Sequence, residues 1–276
     1  MTLKDTSISL THFFLSAKLV YYQRRKKEAM KHIFWFALIG CLYIAVYPLS
    51  AELLDDAVGI WLFDEGKGGT AGDTSGNGND GAINGAKWAE GKFGGALEFE
   101  PPHVVTVEHS DSLSFKEEMT IATWVYMNKG VSDTAIRKNG SYLLEVQAPN
   151  EKVPGGYVFG IWSGGGFTGG VWGTSVIEPE KWYHIVGLYN GNEMQLYVDG
   201  TLEATTKQDG DIGQAGELLF GTFGGEKFIG RLDEVIFFNR GITEAEVAEL
   251  MKGVEVVLPV SPNGLLTTTW GRLKNR

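Results

Sequence analysis

Short segments that alternate in polarity between paired turn signals restrict the fold of this chain more than any other feature. Residues 194–198 alternate Met, Leu and Val with Gln and Tyr, and they lie between Asn190-Gly191 and Asp199-Gly200. Alternation with a period of two predicts a strand, and both dipeptides readily adopt the positive φ of tight hairpin turns. The signal recurs at Asn139-Gly140 and Asp209-Gly210. Turns at this spacing predict an all-β sandwich or barrel.

Two further segments support strands, and one supports a helix. Residues 121–127 and 182–188 are apolar on both faces, which is typical of central strands. Thr243 followed by Glu246 forms a capping box, which predicts one short C-terminal helix that stops at Gly253.

These signals divide the chain into three parts. The β-sandwich with its helix is predicted at 52–253, after an N-terminal extension at 1–51. The tail at 254–276 is either a linker with a short apolar end or a strand laid across the domain, and the sequence leaves both open.

The N-terminal extension has the order of a secretory signal. Basic residues at 24–31 precede the apolar run 33–47, which ends before the small residue Ala51. The run is short for a membrane span, which needs about 20 apolar residues. We therefore expect cleavage near Ala51 and a secreted, extracellular protein. Cys41 follows a lipobox-like sequence, so a lipoprotein or a membrane anchor is the alternative.

The charge of the remaining chain is strongly acidic. The first 51 residues contain seven of the 24 Lys and Arg and two of the 34 Asp and Glu. Residues 52–276 therefore hold 17 basic and 32 acidic side chains, a formal net charge of −15. Such a surface repels nucleic acid and anionic lipid and favours cations. Because Cys41 is the only cysteine, the predicted mature chain has no disulfide and no thiolate site.

Several motifs together resemble the laminin-G-like members of the concanavalin A-like lectin/glucanase superfamily. They occur in order at 59–66, 73–81, 94–99, 182–187, 196–200 and 230–240. The resemblance covers roughly 57–252 and implies a two-sheet antiparallel jelly-roll sandwich. It also implies a module that binds glycans or other extracellular ligands, but it does not fix the ligand.

Residues 73–80 are a candidate calcium loop. Asp73, Asn77 and Asp80 supply hard oxygen ligands of the kind that calcium prefers. The resemblance implies a structural calcium near this loop, completed by an acidic residue of a late strand, and Asp233 holds the matching position. The alternative is a metal-free turn, because Asn, Asp, Ser and Gly form such turns unaided.

A glycine-rich stretch at 155–173 is the candidate ligand site. Trp162, Phe167 and Trp172 lie in it, and their rings could stack on the C–H faces of a sugar while Arg137 meets its hydroxyls. The alternative for each tryptophan is an ordinary core position.

Other aromatic and titratable residues fit structural roles. Trp61, Trp124 and Trp182 are predicted core residues, and His184 is predicted to be a buried histidine with satisfied hydrogen bonds. His103 and His109 have no partners at zinc-ligand spacing.

Catalysis is not expected. The resemblance implies that glucanases of this superfamily carry their catalytic carboxylates as Glu-x-Asp-x-Glu on one strand. No such triplet occurs in this sequence. The sequence therefore predicts a secreted, non-catalytic module that binds carbohydrate. Protein–protein adhesion is the alternative, and glycoside hydrolysis is the least favoured of the three functions.

Overall fold

The structure, a computed structural model, describes residues 53–128, 133–147, 156–221, 224–225 and 228–254. The predicted signal segment 1–51 and residues 255–276 of the predicted tail lie outside these ranges. In the described part of the chain, no helix combines the length and apolar character needed to cross a membrane.

Short strands make up most of the described chain. The strands are β1 (Ala57–Trp61), β2 (Thr70–Ala71), β3 (Gly81–Asn84), β4 (Lys87–Glu90), β5 (Gly95–Phe99), β6 (Val104–Val107), β7 (Met119–Met127), β8 (Asp133–Lys138), β9 (Tyr142–Gln147), β10 (Gly156–Ser163), β11 (Gly166–Phe167), β12 (Val171–Trp172), β13 (Trp182–Tyr189), β14 (Glu193–Val198), β15 (Thr201–Lys207), β16 (Leu218–Gly221) and β17 (Gly230–Phe238). The helical segments are two 3-10 turns, Leu54–Asp56 and Asp111–Leu113, and the helix α1 (Glu244–Leu250).

The strands form two antiparallel sheets that face each other across one core. The eight-stranded sheet has the order β15-β14-β13-β7-β17-β5-β4, and β1 also pairs with β17. The nine-stranded sheet has the order β11-β10-β9-β8-β16-β6-β3-β2, and β12 also pairs with β10. This arrangement confirms the predicted all-β, two-sheet antiparallel sandwich with one short C-terminal helix.

The predicted hairpin turns connect neighbouring strands. Asp199 and Gly200 join β14 to β15 with φ values of 46° and 75°, which is the left-handed backbone that a two-residue hairpin needs. Asn190 accepts backbone hydrogen bonds from Asn192 and Glu193 at 3.1 and 3.0 Å where β13 turns into β14. These local contacts place β13, β14 and β15 side by side.

Two apolar clusters explain why β7 is apolar on both faces. Ile121 and Val125 belong to the core between the sheets, whereas Ala122 belongs to a second cluster on the outer face of the eight-stranded sheet. Helix α1 contributes Val247 and Leu250 to this second cluster. Burial on both sides makes β7 a central strand, as its sequence predicts.

The capping box fixes the start of α1. Thr243 Oγ1 accepts a hydrogen bond from the backbone N of Glu246 at 3.3 Å, and Glu246 Oε2 accepts one from the backbone N of Thr243 at 2.6 Å. The Glu246 carboxylate also pairs with Arg240 at 2.8 Å. The helix is therefore tied to the end of β17 as the sequence pattern predicts.

Two of the predicted core positions need correction. Trp61 and Trp124 are buried, but Trp182 is only half-buried, because the second apolar cluster covers a different part of the outer face. His184 is buried as predicted, yet its Nδ1 has no hydrogen-bond partner among the described residues. Periodicity identifies a buried face but does not show which part of that face another element covers.

Candidate functional site

The candidate site lies on the outer face of the nine-stranded sheet, along β10. Tyr157, Phe159 and Ile161 point into the shared core. Because side chains alternate along a strand, Val158, Gly160 and Trp162 occupy the outer face. This face carries the aromatic residues predicted to bind a ligand.

The hairpin between β10 and β11 brings two predicted residues together. Trp162 and Phe167 are direct cross-strand partners, and their ring centroids are 4.7 Å apart with the planes tilted by 49°. Phe167 retains 45% of its possible exposure, while Trp162 is half-buried. Trp162 thus supports the ring of Phe167, and Phe167 presents it to solvent.

Gly160 makes room for this ring. A Cβ atom added at Gly160 would lie 2.6 Å from Cε2 of Phe167, a distance far below van der Waals contact. The ring therefore rests against the backbone of β10. Sequence reasoning missed the role of Gly160, because a glycine in a strand does not reveal which side chain uses its space.

Arg137 is the third predicted residue in the cluster. It lies on β8, opposite Leu143 of β9, and its Cζ is 5.2 Å from the centroid of the Trp162 ring. A guanidinium over an indole face is a favourable cation–π contact, and its N–H groups are hydrogen-bond donors beside the aromatic rings. The structure thus groups Arg137, Trp162 and Phe167.

Trp172 of β12 lies on the same face, beside the part of β10 that contains Val158. It pairs with Val158, its Nε1 donates to the carbonyl of Gly169 at 3.1 Å, and 43% of the residue is exposed. We call Trp162, Phe167 and Trp172 the aromatic strip. Of the two tryptophans, Trp172 is clearly not a core residue.

Glu203 on the other sheet fixes the chain that follows Trp172. Its Oε2 accepts hydrogen bonds from the backbone N of Thr174 at 2.7 Å and of Ser175 at 3.1 Å. Its Oε1 also accepts from the hydroxyl of Ser175. The contact joins β15 of one sheet to the segment that follows β12 of the other sheet. It cannot be predicted from a local sequence pattern, because the residues are about 28 positions apart.

Polar groups flank the aromatic strip. Thr134 and Glu145 are cross-strand partners on β8 and β9, and the Thr134 hydroxyl donates to Glu145 Oε1 at 3.2 Å. Exposed rings beside carboxylate and guanidinium groups suit a ligand with both C–H faces and hydroxyls.

The predicted calcium loop is a hydrogen-bonded turn. The carboxylate of Asp73 accepts from the backbone N of Ile60, Ser75 and Asn79 and from the Ser75 hydroxyl, at 2.9 to 3.0 Å. Asn77 donates to the carbonyl of Val58 at 3.1 Å, and Asp80 accepts from the backbone N of Asp73 at 2.8 Å. The oxygens of Asp73 are thus already used, so this donor set does not fit a calcium site that depends on Asp73.

Asp233 has a different environment. It is buried on β17, and its Oδ2 accepts from the backbone N of Phe93 at 2.9 Å. Burial raises its pKa to about 7, while hydrogen bonds from Phe93 and Lys92 act in the opposite direction. Among the described residues, its Oδ1 has no partner, and no group of three or more His, Cys, Asp or Glu side chains is arranged to hold a metal. The calcium prediction stays a prediction.

Comparison with known proteins identifies the family. A profile of the laminin-G-like family in the concanavalin A-like lectin/glucanase superfamily matches residues 103–248, more than half of the chain. The chain therefore belongs to this superfamily, as its motifs predict. A search of curated proteins gave no match.

Several solved structures share the fold of this chain. Domain 4 of AbnA, a GH43 extracellular arabinanase from Geobacillus stearothermophilus solved with arabinotriose, matches with a TM-score of 0.57 and 16% identity over 71% of this chain and 98% of that chain. The binding domain of Paraclostridial Mosquitocidal Protein 1 matches with a TM-score of 0.60 and 18% identity over 72% of this chain and 52% of that chain.

The binding domain of Botulinum neurotoxin serotype G has a TM-score of 0.55 and 16% identity over 71% of this chain and 50% of that chain. The chain thus spans about half the length of the two toxin domains. At these identities, the likeness establishes the fold alone.

Proposed function

We propose that the chain is a secreted, non-catalytic module that binds carbohydrate on its aromatic strip. One observation carries this proposal: Trp162 of β10 shares one outer face of the sheet with Phe167 of β11 and Trp172 of β12, two strands that pair with β10, and Arg137 stacks beside Trp162. Sugars offer C–H faces to aromatic rings and hydroxyls to nearby polar groups, and this surface offers both.

The exposure of the rings supports a binding role. Phe167 and Trp172 leave much of their apolar area in water although the fold has a large core. Exposed apolar surface of this kind, flanked by polar groups, is typical of ligand sites.

The structural relatives agree with this class of function. AbnA domain 4 was solved with arabinotriose, and the two toxin relatives are binding domains. These are properties of those proteins, and they support a glycan or protein ligand for this chain.

Glycoside hydrolysis is the least favoured alternative, because of the sequence pattern. A retaining glycosidase needs two carboxylates about 5 Å apart on either side of the scissile bond. The strand pattern that supplies them in glucanases of this fold is missing from the sequence. Secretion rests on the basic and apolar segments before Ala51.

A glycan-array screen of the purified protein tests this function. We expect retention of a defined group of saccharides by the wild type and much weaker retention by Trp162→Ala/Phe167→Ala. Leu202→Ala is the matched control, because Leu202 is 44% exposed but lies on the other sheet. A blank array for a folded wild-type protein would contradict carbohydrate binding and would favour a protein ligand.

A further inference from the structure

A second row of outward side chains crosses the eight-stranded sheet. Its members are in register on five neighbouring strands: Trp182, Tyr126, Arg231, Glu98 and Lys87. Because strands are about 4.8 Å apart, the row spans about 19 Å. We call these five residues the outer row. They share no residue with the aromatic strip and lie on the opposite side of the sandwich.

One end of the outer row is an aromatic and cationic stack. The ring centroids of Trp182 and Tyr126 are 5.3 Å apart, and Arg231 Cζ is 5.2 Å from the Tyr126 ring. All three side chains are half-buried. Partly exposed rings held in fixed positions by a neighbour are suited to stacking on a ligand.

The middle of the row is a fixed hydrogen-bonding group. Glu98 Oε1 accepts from Arg231 Nε and from Asn128 Nδ2, both at 3.1 Å. The hydrogen bond from Asn128, and after it the guanidinium of Arg231, lower the pKa of Glu98. The carboxylate is therefore held ionised in one position, and both bonds fall on Oε1, so Oε2 can accept from a ligand hydroxyl.

A cavity of about 180 Å³ opens at the other end of the row. It is lined by Lys87, Glu98, Phe99, Glu100, His103, Asn128 and Ile229. Its polar groups include donors and carboxylate acceptors beside two apolar side chains. An anion there would meet two carboxylates and a cation would meet a lysine, whereas hydroxyls both donate and accept.

We propose that the outer row is a second carbohydrate site, which takes a short neutral oligosaccharide. Sugar rings stack on Trp182 and Tyr126, Glu98 accepts a hydroxyl hydrogen bond, and one sugar unit enters the cavity. The proposal rests on the proposed function only for the class of ligand. With sites on opposite sheets, one molecule connects two glycan chains, and binding to a polysaccharide gains from both contacts.

Indole N–H signals report on the two sites separately. The full-length protein, labelled with ¹⁵N-tryptophan, is titrated with neutral tetrasaccharides from arabinan, xylan, cellulose and mannan. Trp182→Phe and Trp162→Phe identify the two relevant signals. We expect one saccharide to shift the Trp182 signal saturably, and this shift to persist in Trp162→Ala/Phe167→Ala.

Glu98→Gln probes the site without removing a ring. We expect it to weaken the affinity read from Trp182 about tenfold, because it removes a charged acceptor, and to leave the affinity read from Trp162 unchanged. Thr205→Ala, at an exposed position of the same sheet, should change neither affinity. A shift of Trp162 without Trp182 would overturn the second site alone. A shift of Trp182 without Trp162 would instead contradict the proposed function at the aromatic strip.

Discussion

The carboxylate of Asp73 is surrounded by donors from its own chain. It connects the backbone of β1 at Ile60 with two points of the 73–80 loop, Ser75 and Asn79. Hydrogen bonds to a charged acceptor are stronger than neutral ones, and a donor that loses its partner retains the cost of desolvation. This residue therefore ties the 73–80 loop to β1.

Asp73→Ala should therefore lower the free energy of unfolding by about 2 kcal/mol, since four donors lose their acceptor. Denaturant unfolding measures the loss. Asp80→Ala is the control, because Asp80 accepts one exposed hydrogen bond, and it should cost much less. EDTA tests the predicted calcium at this loop. An unchanged Tm of the wild type in EDTA would contradict the prediction, and a fall in Tm that added calcium reverses would confirm it.

His184 is a buried imidazole on β13, beside Trp124 at a ring distance of 5.1 Å. Desolvation lowers its pKa from the ordinary 6.5 to about 3. The unfolded chain therefore binds a proton below pH 6.5, whereas the folded protein binds it only near pH 3. The contribution of neutral His184 to stability is complete above pH 6.5 and is lost as the pH falls towards 3.

His184→Phe should reduce the loss of stability on acidification, because phenylalanine keeps a ring of similar size and cannot take up a proton. Between pH 6 and pH 4, the variant should gain on the wild type by up to about 1.4 kcal/mol per pH unit. Urea unfolding at several pH values measures this difference. His109→Gln, at an exposed histidine, should follow the wild type. If the free energies of unfolding of His184→Phe and the wild type depend on pH in the same way, His184 is not the buried neutral group that loses stability on acidification.

At the scale of elements, the β10–β11 hairpin positions the exposed ring of the aromatic strip. Phe167 lies over Gly160 of β10 and against Trp162. Because the ring is at the surface, it can move away at small cost to the fold. Stability and ligand binding can therefore be separated at this hairpin.

Gly160→Ala should weaken saccharide binding while leaving stability within about 1 kcal/mol of the wild type, because the new Cβ displaces the ring of Phe167. Gly166→Ala is the control on the same hairpin, since a Cβ there meets no atom within 4 Å. Affinity and thermal melts of both variants test the prediction. Equal affinity in the two variants would show that the position of the Phe167 ring does not matter.

Local signals made several elements predictable from the sequence. The turn at Asp199-Gly200 and the capping box at Thr243 depend on residues within a few positions of each other, and both occur as predicted. The residue types of Arg137, Trp162 and Phe167 predict a role in ligand binding, because ring stacking and hydroxyl recognition need them. The structure shows that these side chains lie together, and ligand binding stays a prediction.

Contacts between distant segments were not predictable in this way. Alternation suggests that Trp182 is buried, but the apolar cluster with α1 covers only another part of that face. The contact of Glu203 with Ser175 joins two sheets, and Asp73 satisfies its oxygens with backbone donors that composition does not reveal. Each of these outcomes depends on tertiary packing rather than on local pattern.

At the scale of the whole molecule, the sandwich is acidic and the segment before it is basic and apolar. Cleavage near Ala51 would separate the two and leave a chain with a formal net charge of −15. Such a charge keeps a protein soluble and reduces adsorption to nucleic acid and anionic lipid.

Because the basic and apolar segments before Ala51 have the order of a secretory signal, we predict that the mature protein begins near Glu52. Intact-mass measurement and N-terminal sequencing of the protein recovered from its native host test this. Retention of residues 1–51 on the exported protein would contradict cleavage, and a lipid-modified Cys41 at the N-terminus would establish the lipoprotein alternative.

The central claim is that a saccharide stacks on the aromatic strip, and the affinity read from the indole signal of Trp172 tests it most directly. The saccharide retained on the array is titrated into the wild type, Trp162→Ala/Phe167→Ala and Leu202→Ala. We predict that the double variant weakens the Kd by at least about tenfold, or about 1.4 kcal/mol, because two stacking rings are lost, and that Leu202→Ala leaves it unchanged. Equal affinities in all three proteins would contradict the claim.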